Sequence, residues 1–147
     1  MTAQTPTSFL EKVAQRSGLN NEADAQRAAN VVFRIMRDMM YNKTSNQIEA
    51  DLKENASDAE QDAVDLWQDY NVMVAFFSRI SPAQNLHLRS STFWLRLKQE
   101  GALPEDVTPQ EAAKAVFSAT KEILPEERSQ EIAQLLPDEV GQVWAAA

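Results

Sequence analysis

The chain has 147 residues, with 14 Lys and Arg against 22 Asp and Glu, which gives a formal net charge of −8. It contains no cysteine and one histidine, so disulfides, thiolate metal sites and multi-histidine metal sites are excluded. Three glycines are too few for a glycine-rich phosphate loop, whereas an apolar content of 44% is enough for a substantial core. We therefore expect one acidic domain over residues 1–147, without metal or cofactor.

The first predicted helix has an apolar stripe over residues 9–13 and ends at Gly18, which suits the left-handed residue after a helix. Asp24 is the expected cap of the second helix, and a capping box that starts at Thr44 is expected to open a short third helix over about 45–54. The second helix buries side chains at helical spacing: Ala28, Val32, Ile35, Met36 and Met39.

The middle of the chain predicts two further helices. Ser57 and Glu60 form a capping box before a helix that leads to Trp67. The stretch that follows is apolar on nearly every side, which is typical of a helix buried all round. It predicts a central helix over about 68–80, which Ser81 follows.

The last third of the chain repeats the helical pattern. Thr108, Pro109 and Glu111 combine a capping box with proline at the first helical position. A further helix, over about 126–136, starts at Pro125. No segment alternates with period two for long enough to form a strand, so the predicted fold class is all-α.

An internal repeat appears when the chain is shifted by 84 residues. Residues 9–52 then align with 93–136 without a gap, with 11 identities in 44 positions. The register predicts that Phe33 and Phe117 occupy equivalent buried positions. We expect two pseudo-repeats, at about 9–67 and 91–144, that form two helical bundles packed around the central apolar helix.

Each copy begins Phe-x-x-x-Val/Leu, continues through Ala-Ala-x-x-Val-Phe and closes near a tryptophan, and the second copy has Leu136-Pro137 before Trp144. This pattern resembles an uncharacterised bacterial domain-of-unknown-function family of duplicated helical units. The resemblance implies an all-α fold of two pseudo-equivalent bundles and supplies no catalytic residues. The first copy departs from the pattern, because Leu52 is followed by Lys53 instead of proline.

A basic segment lies between two acidic ones. The formal charge is −6 over residues 43–70, +4 over 71–98 and −7 over 99–147. The basic segment offers a group of residues that could contact an anion or a partner. The alternative, which we favour, is that it complements the acidic helices of the same chain. The candidate contact residues are His87, Arg89, Trp94 and Arg96.

Two further patterns have a structural and a functional interpretation. Asp58, Asp62, Asp65 and Asp69 form one acidic stripe on a helix, which favours a solvated face over a docking surface for basic partners. As a calcium loop this stretch lacks the required glycine and the final glutamate. Several methionines have core spacing, although they could also line an adaptable pocket: Met36, Met39, Met40 and Met73.

Trp67 and Trp144 close the two copies, although Trp67 comes seven residues later than the register predicts. Seven residues are about two helical turns, so an insertion can preserve the helix face. The two tryptophans are either buried anchors or a hydrophobic surface for a partner. The sequence leaves these alternatives open.

No nucleophile–base pair is evident, and the acidic charge disfavours nucleic acids and anionic membranes. The start of the chain lacks the basic and apolar regions of a signal peptide, so we expect a cytoplasmic protein. The expected function is a non-enzymatic helical interaction or regulatory adaptor module with a protein partner, acting as a monomer or homodimer. The alternative is a small-ligand-binding protein with a pocket between the two helical units.

Overall fold

The computed structural model describes residues 7–19, 21–40, 42–68 and 89–147, and within these ranges it contains helices and no strand. This confirms the predicted all-α class. Beyond Gln68, the expected central helix lies outside the described residues, as do Met73 and Ser81. The helices are α1 (Phe9–Ser17), α2 (Glu22–Asp38), α3 (Asn42–Asn55), α4 (Gln61–Gln68), α5 (Ser90–Glu100), α6 (Pro109–Lys121), α7 (Glu126–Leu135) and α8 (Asp138–Ala146), with a 3-10 turn at Asp58–Glu60 before α4.

Several predicted helix ends are confirmed. Gly18 has a φ of 83°, the left-handed conformation that glycine adopts at low cost. The capping boxes of Ser57 with Glu60 and of Thr108 with Glu111 are both present. Among the described helices, none is both long and apolar enough to cross a membrane.

Two predicted starts are wrong. The N-cap of α2 is Asn21, whose Oδ1 accepts a hydrogen bond of 2.9 Å from the Asp24 N–H. Asp24 therefore lies inside the first turn, where its carboxylate favours the helix dipole. Helix α3 begins at Asn42, so Thr44 lies within the helix, and its hydroxyl lies 3.5 Å from a Glu131 carboxylate oxygen instead of capping the helix.

The core is built on two sets of aromatic rings. Phe33 lies between Phe9 and Trp67, with ring centroids 5.7 and 5.1 Å apart. In the C-terminal half, Phe117 lies between two rings in the same way, at 6.3 Å from Phe93 and 5.1 Å from Trp144. Met36, Met39 and Met40 are also buried, which confirms the core interpretation of these methionines.

The N-terminal half of the described chain (α1–α4) and the C-terminal half (α5–α8) pack together through helices that contact both halves. Helix α1 contacts α6 of the C-terminal half more extensively than it contacts α2 of its own half. Helix α5 contacts both α2 and α6. Because helices of each half cover apolar residues of the other, the buried apolar residues of the described ranges form one continuous core.

Polar contacts between the halves recur at positions that are 84 residues apart. Lys12 Nζ lies 3.4 Å from a Glu122 carboxylate oxygen, and Arg96 Nη1 lies 3.2 Å from a carboxylate oxygen of Asp38. Positions 12 and 96 are 84 residues apart, and so are positions 38 and 122, so the two ion pairs join equivalent positions of the register. The contact of Thr44 with Glu131 has a counterpart in the bond from Arg128 Nη1 to Gln47 Oε1, which is 3.0 Å long.

Candidate protein-docking surface

Three of the four residues predicted to contact an anion or a partner lie within the described ranges: Arg89, Trp94 and Arg96. His87 lies outside the described residues, and Arg89 is exposed just before α5. Trp94 is 7% exposed, and its indole N–H donates a 3.0 Å hydrogen bond to Glu139 Oε1, so it offers no open stacking face. The interpretation of Trp94 as an accessible contact is therefore wrong.

Arg96 is held in a network of ion pairs. Its guanidinium lies 3.2 Å from Asp38 and 3.0 Å from Glu100. Partial burial acts to lower the pKa of Arg96, but the hydrogen bonds and charges of Glu100 and Asp38 outweigh it, so the pKa is raised. Glu100 lies in the acidic segment 99–147, whereas Asp38 lies outside both acidic segments. Arg96 thus stabilises contacts within the chain.

Trp67 and Trp144 are buried anchors, with 2% and 1% of their surface exposed. Each indole N–H donates to a backbone carbonyl, that of Ser45 at 3.1 Å and that of Ser129 at 3.0 Å. An amphipathic indole is satisfied inside a core when its N–H finds such a partner. The partner-surface alternative does not hold for either tryptophan.

The acidic stripe is only partly a solvated face. Asp58 and Asp65 are exposed, while Asp69 lies outside the described residues. Asp62 accepts hydrogen bonds from the backbone N–H groups of Phe9 at 3.2 Å and Leu10 at 2.9 Å. Its carboxylate therefore satisfies free N–H groups at the start of α1, a structural task. Within the described ranges, no group of three His, Cys, Asp or Glu side chains is placed to hold a metal ion.

An open groove of about 280 Å³ lies between α6 and α8. Its floor is mostly apolar, because Val143 and Ala146 are joined by the aliphatic stems of longer polar residues. Glu111, Lys114 and Glu139 supply the charges on its walls. We call it the α6–α8 groove, and its lining is Gln110, Glu111, Lys114, Glu139, Gln142, Val143 and Ala146.

Side chains at both ends of α8 hold it against the rest of the chain. The Ser90 hydroxyl accepts hydrogen bonds from the N–H groups of Glu139 at 3.2 Å and Val140 at 3.3 Å. At the other end, Lys121 Nζ donates to the carbonyl oxygens of Trp144 at 2.8 Å and Ala147 at 3.2 Å. These hydrogen bonds attach one wall of the groove to the rest of the chain.

Sequence analysis did not find the α6–α8 groove. Val143 and Ala146 are small apolar residues within an ordinary amphipathic helix, and their spacing does not distinguish a covered face from an open one. Only the packing of α8 on α6 leaves them at the bottom of a groove. The groove therefore has no signature in the local sequence.

The fold and the groove define an all-helical protein with an open surface between two of its helices. A family model described as an uncharacterized conserved protein, DUF2267, matches residues 7–143, and the chain belongs to that family. The match is consistent with the resemblance to a family of unknown function. No curated protein matches the chain.

Proposed function

We propose that this protein is a non-enzymatic helical interaction module that docks a protein partner in the α6–α8 groove. The observation that carries the proposal is the open, mostly apolar groove between α6 and α8, where α8 is bound to the rest of the chain at both ends. A surface of this kind accepts apolar side chains from a partner and orients them through charges on its walls.

The dimensions and position of the groove favour a protein partner over a small ligand. Small-molecule sites usually enclose roughly 300–1,000 Å³ and bury most of the ligand. The α6–α8 groove is smaller than this, at about 280 Å³, and it is open to solvent. It also lies within the C-terminal half, whereas the small-ligand alternative expects a pocket between the two halves.

In this proposal the chain consists of two pseudo-repeated units, at about 9–67 and 91–144. The support comes from contacts that recur 84 residues apart, such as Lys12 with Glu122 and Arg96 with Asp38. The cation–ring contacts recur as well, because Arg37 lies 5.7 Å from the centre of the Trp67 ring and Lys121 lies 5.7 Å from that of Trp144. One unit then carries the docking groove while both contribute to the core.

The proposal also places the protein in the cytoplasm, as a monomer or homodimer that acts without a cofactor. The support for a protein partner instead of nucleic acid or an anionic membrane is the formal charge of −8, which repels phosphate groups.

Site-specific photo-crosslinking in the native cell tests the docking proposal. A photoreactive phenylalanine analogue replaces Gln142 in the groove, and the matched control carries it at Gln134, an exposed position on α7. We expect a discrete protein adduct from position 142 that is absent from position 134. The same adducts from both positions, or none from position 142, would contradict the proposal. A melting temperature raised by one metabolite class without any adduct would favour the small-ligand alternative.

A further inference from the structure

The walls of the α6–α8 groove carry two carboxylates that the chain itself holds in place. Glu111 Oε1 accepts a 2.9 Å hydrogen bond from the Thr108 hydroxyl. Glu139 Oε1 accepts the 3.0 Å hydrogen bond from the Trp94 indole. Both glutamates are exposed and stand on opposite sides of the groove, Glu111 on α6 and Glu139 on α8. Their negative charge is therefore preorganised toward a partner.

Two positive charges near the groove are bound elsewhere in the chain. Lys121 binds backbone carbonyls at the end of α8. Arg128 lies 2.7 Å from Asp51 of α3 and 2.7 Å from Glu131 of its own helix. Among the residues that line the groove, Lys114 has a positive charge, whereas Glu111 and Glu139 have negative charges. The lining of the groove thus has two carboxylates and one ammonium group, and the segment 99–147 as a whole has a formal charge of −7.

The shape of the groove favours a helix as the partner. Two neighbouring helices leave a linear furrow between them, and a third helix can lay an apolar face along it through residues at i and i+4. The floor at Val143 and Ala146 is shallow and lined by small or half-buried groups. A volume of about 280 Å³ accommodates aliphatic side chains of a partner helix without a deep aromatic pocket.

Resting on the proposed function, we infer that the occupant of the α6–α8 groove is a basic amphipathic helix. Its aliphatic residues at i and i+4 contact Val143 and Ala146, and its flanking Lys or Arg side chains pair with Glu111 and Glu139. The complementary charges steer the encounter and fix the orientation of the helix, while the apolar contacts supply most of the affinity.

A pair of synthetic peptides tests this inference with the full chain. Each peptide has roughly fifteen residues, because isolated helices shorter than about that length have little stability in water. Both have leucines at i and i+4, and the flanking positions are lysine in one and glutamate in the other. Fluorescence anisotropy of labelled peptide measures binding at low and high salt. We expect the lysine peptide to bind more tightly, with an affinity that falls as salt increases.

A matched pair of variants locates the binding site. Gln142 is exposed and lines the groove, so Gln142→Lys adds a repulsive charge there and Gln142→Glu adds an attractive one. We expect Gln142→Lys to weaken binding of the lysine peptide several-fold and Gln142→Glu to maintain or strengthen it. Unchanged melting temperatures would show that both variants remain folded.

The inference and the proposed function fail in different ways. Equal or tighter binding of the glutamate peptide, or no effect of Gln142→Lys, would overturn the basic-helix inference. Photo-crosslinking from position 142 to an acidic or non-helical segment would overturn it too, although docking in the groove would still stand. The absence of any adduct from position 142 would contradict the docking proposal itself.

Discussion

Individual aromatic residues organise each half of the core. Phe33 and Phe117 are fully buried, as the 84-residue register predicts, and each contacts a second phenylalanine and a tryptophan. Edge-to-face contacts with Trp67 and Trp144 add to the free energy that burial alone provides. Truncation of either phenylalanine should therefore be costly.

Replacing Phe33 or Phe117 with alanine should lower the free energy of unfolding by about 3–5 kcal/mol, because each change leaves a cavity in a closely packed core. Urea denaturation measures the effect. Leu95→Ala is the control, since Leu95 is 56% exposed and its truncation should change stability by less than about 0.5 kcal/mol. A loss below about 1 kcal/mol at either phenylalanine would contradict the account.

Ion pairs of Lys12 and Arg16 with Glu122 link the two halves near α1. Lys12 lies 2.9 Å from Glu60 and 3.4 Å from Glu122. Partial burial acts to raise the pKa of Glu60, but hydrogen bonds from Lys12 and Ser57 and the charge of Lys12 outweigh it, so the pKa is lowered. The hydrogen bond from Arg16 is the main cause of the lowered pKa of Glu122, which partial burial opposes and the charge of Lys12 supports.

These shifts predict a loss of stability in acid. A carboxyl group with a lowered pKa in the folded state stabilises the fold above its unfolded pKa, about 4.3 for glutamate. That contribution disappears as the pH falls through the lowered value. In a series of unfolding curves from neutral to acidic pH, the acid limb is the range over which the free energy of unfolding falls as the pH is lowered. Lys12→Met should make this fall less steep. Lys53→Met, at a 53% exposed side chain, should leave it unchanged. An identical acid limb in Lys12→Met and the native chain would refute this cause.

At the scale of the helix, some ends are predicted from neighbouring residues and others are missed, for different physical reasons. The Thr108–Glu111 capping box is local and was predicted correctly. Asp24 is the expected cap because the 84-residue register places it opposite Thr108, but the cap of α2 lies three residues earlier, at Asn21. Thr44 contacts Glu131 of α7, so its position depends on tertiary packing. The α6–α8 groove depends on packing in the same way, which is why the pattern did not predict it.

The capping box at the start of α6 gives a test at this scale. Thr108→Ala removes the hydroxyl that accepts from the Glu111 N–H and should cost about 0.5–2 kcal/mol. Thr108→Ser retains the hydroxyl and should cost much less. Thermal unfolding of the three proteins measures the difference. Equal melting temperatures for the alanine and serine variants would show that the cap contributes nothing.

At the scale of the whole molecule, helices of both halves contribute to the core of the described ranges. Helix α1 packs on α6, and α6 forms a wall of the α6–α8 groove. The 84-residue register predicts similar helices in both halves, but it does not predict that α1 and α5 each pack against helices of the other half. That packing includes distant contacts such as the hydrogen bond of Arg16 with Ser118, 102 positions apart in the chain.

A shared core predicts a single unfolding transition. Trp67 reports on the N-terminal half, and Trp94 and Trp144 report on the C-terminal half. Far-ultraviolet circular dichroism, which follows all helices, should therefore change in parallel with tryptophan fluorescence along a urea titration. Two separated transitions would show that the halves fold independently.

The most direct test of the docking account is amide chemical-shift mapping of the isotope-labelled full chain titrated with the lysine-rich peptide. We expect the perturbed amides to concentrate at residues 110–114 and 139–146, on the two walls of the α6–α8 groove. Perturbations that concentrate on α1 or α3, or no perturbation at peptide concentrations well above that of the protein, would contradict it.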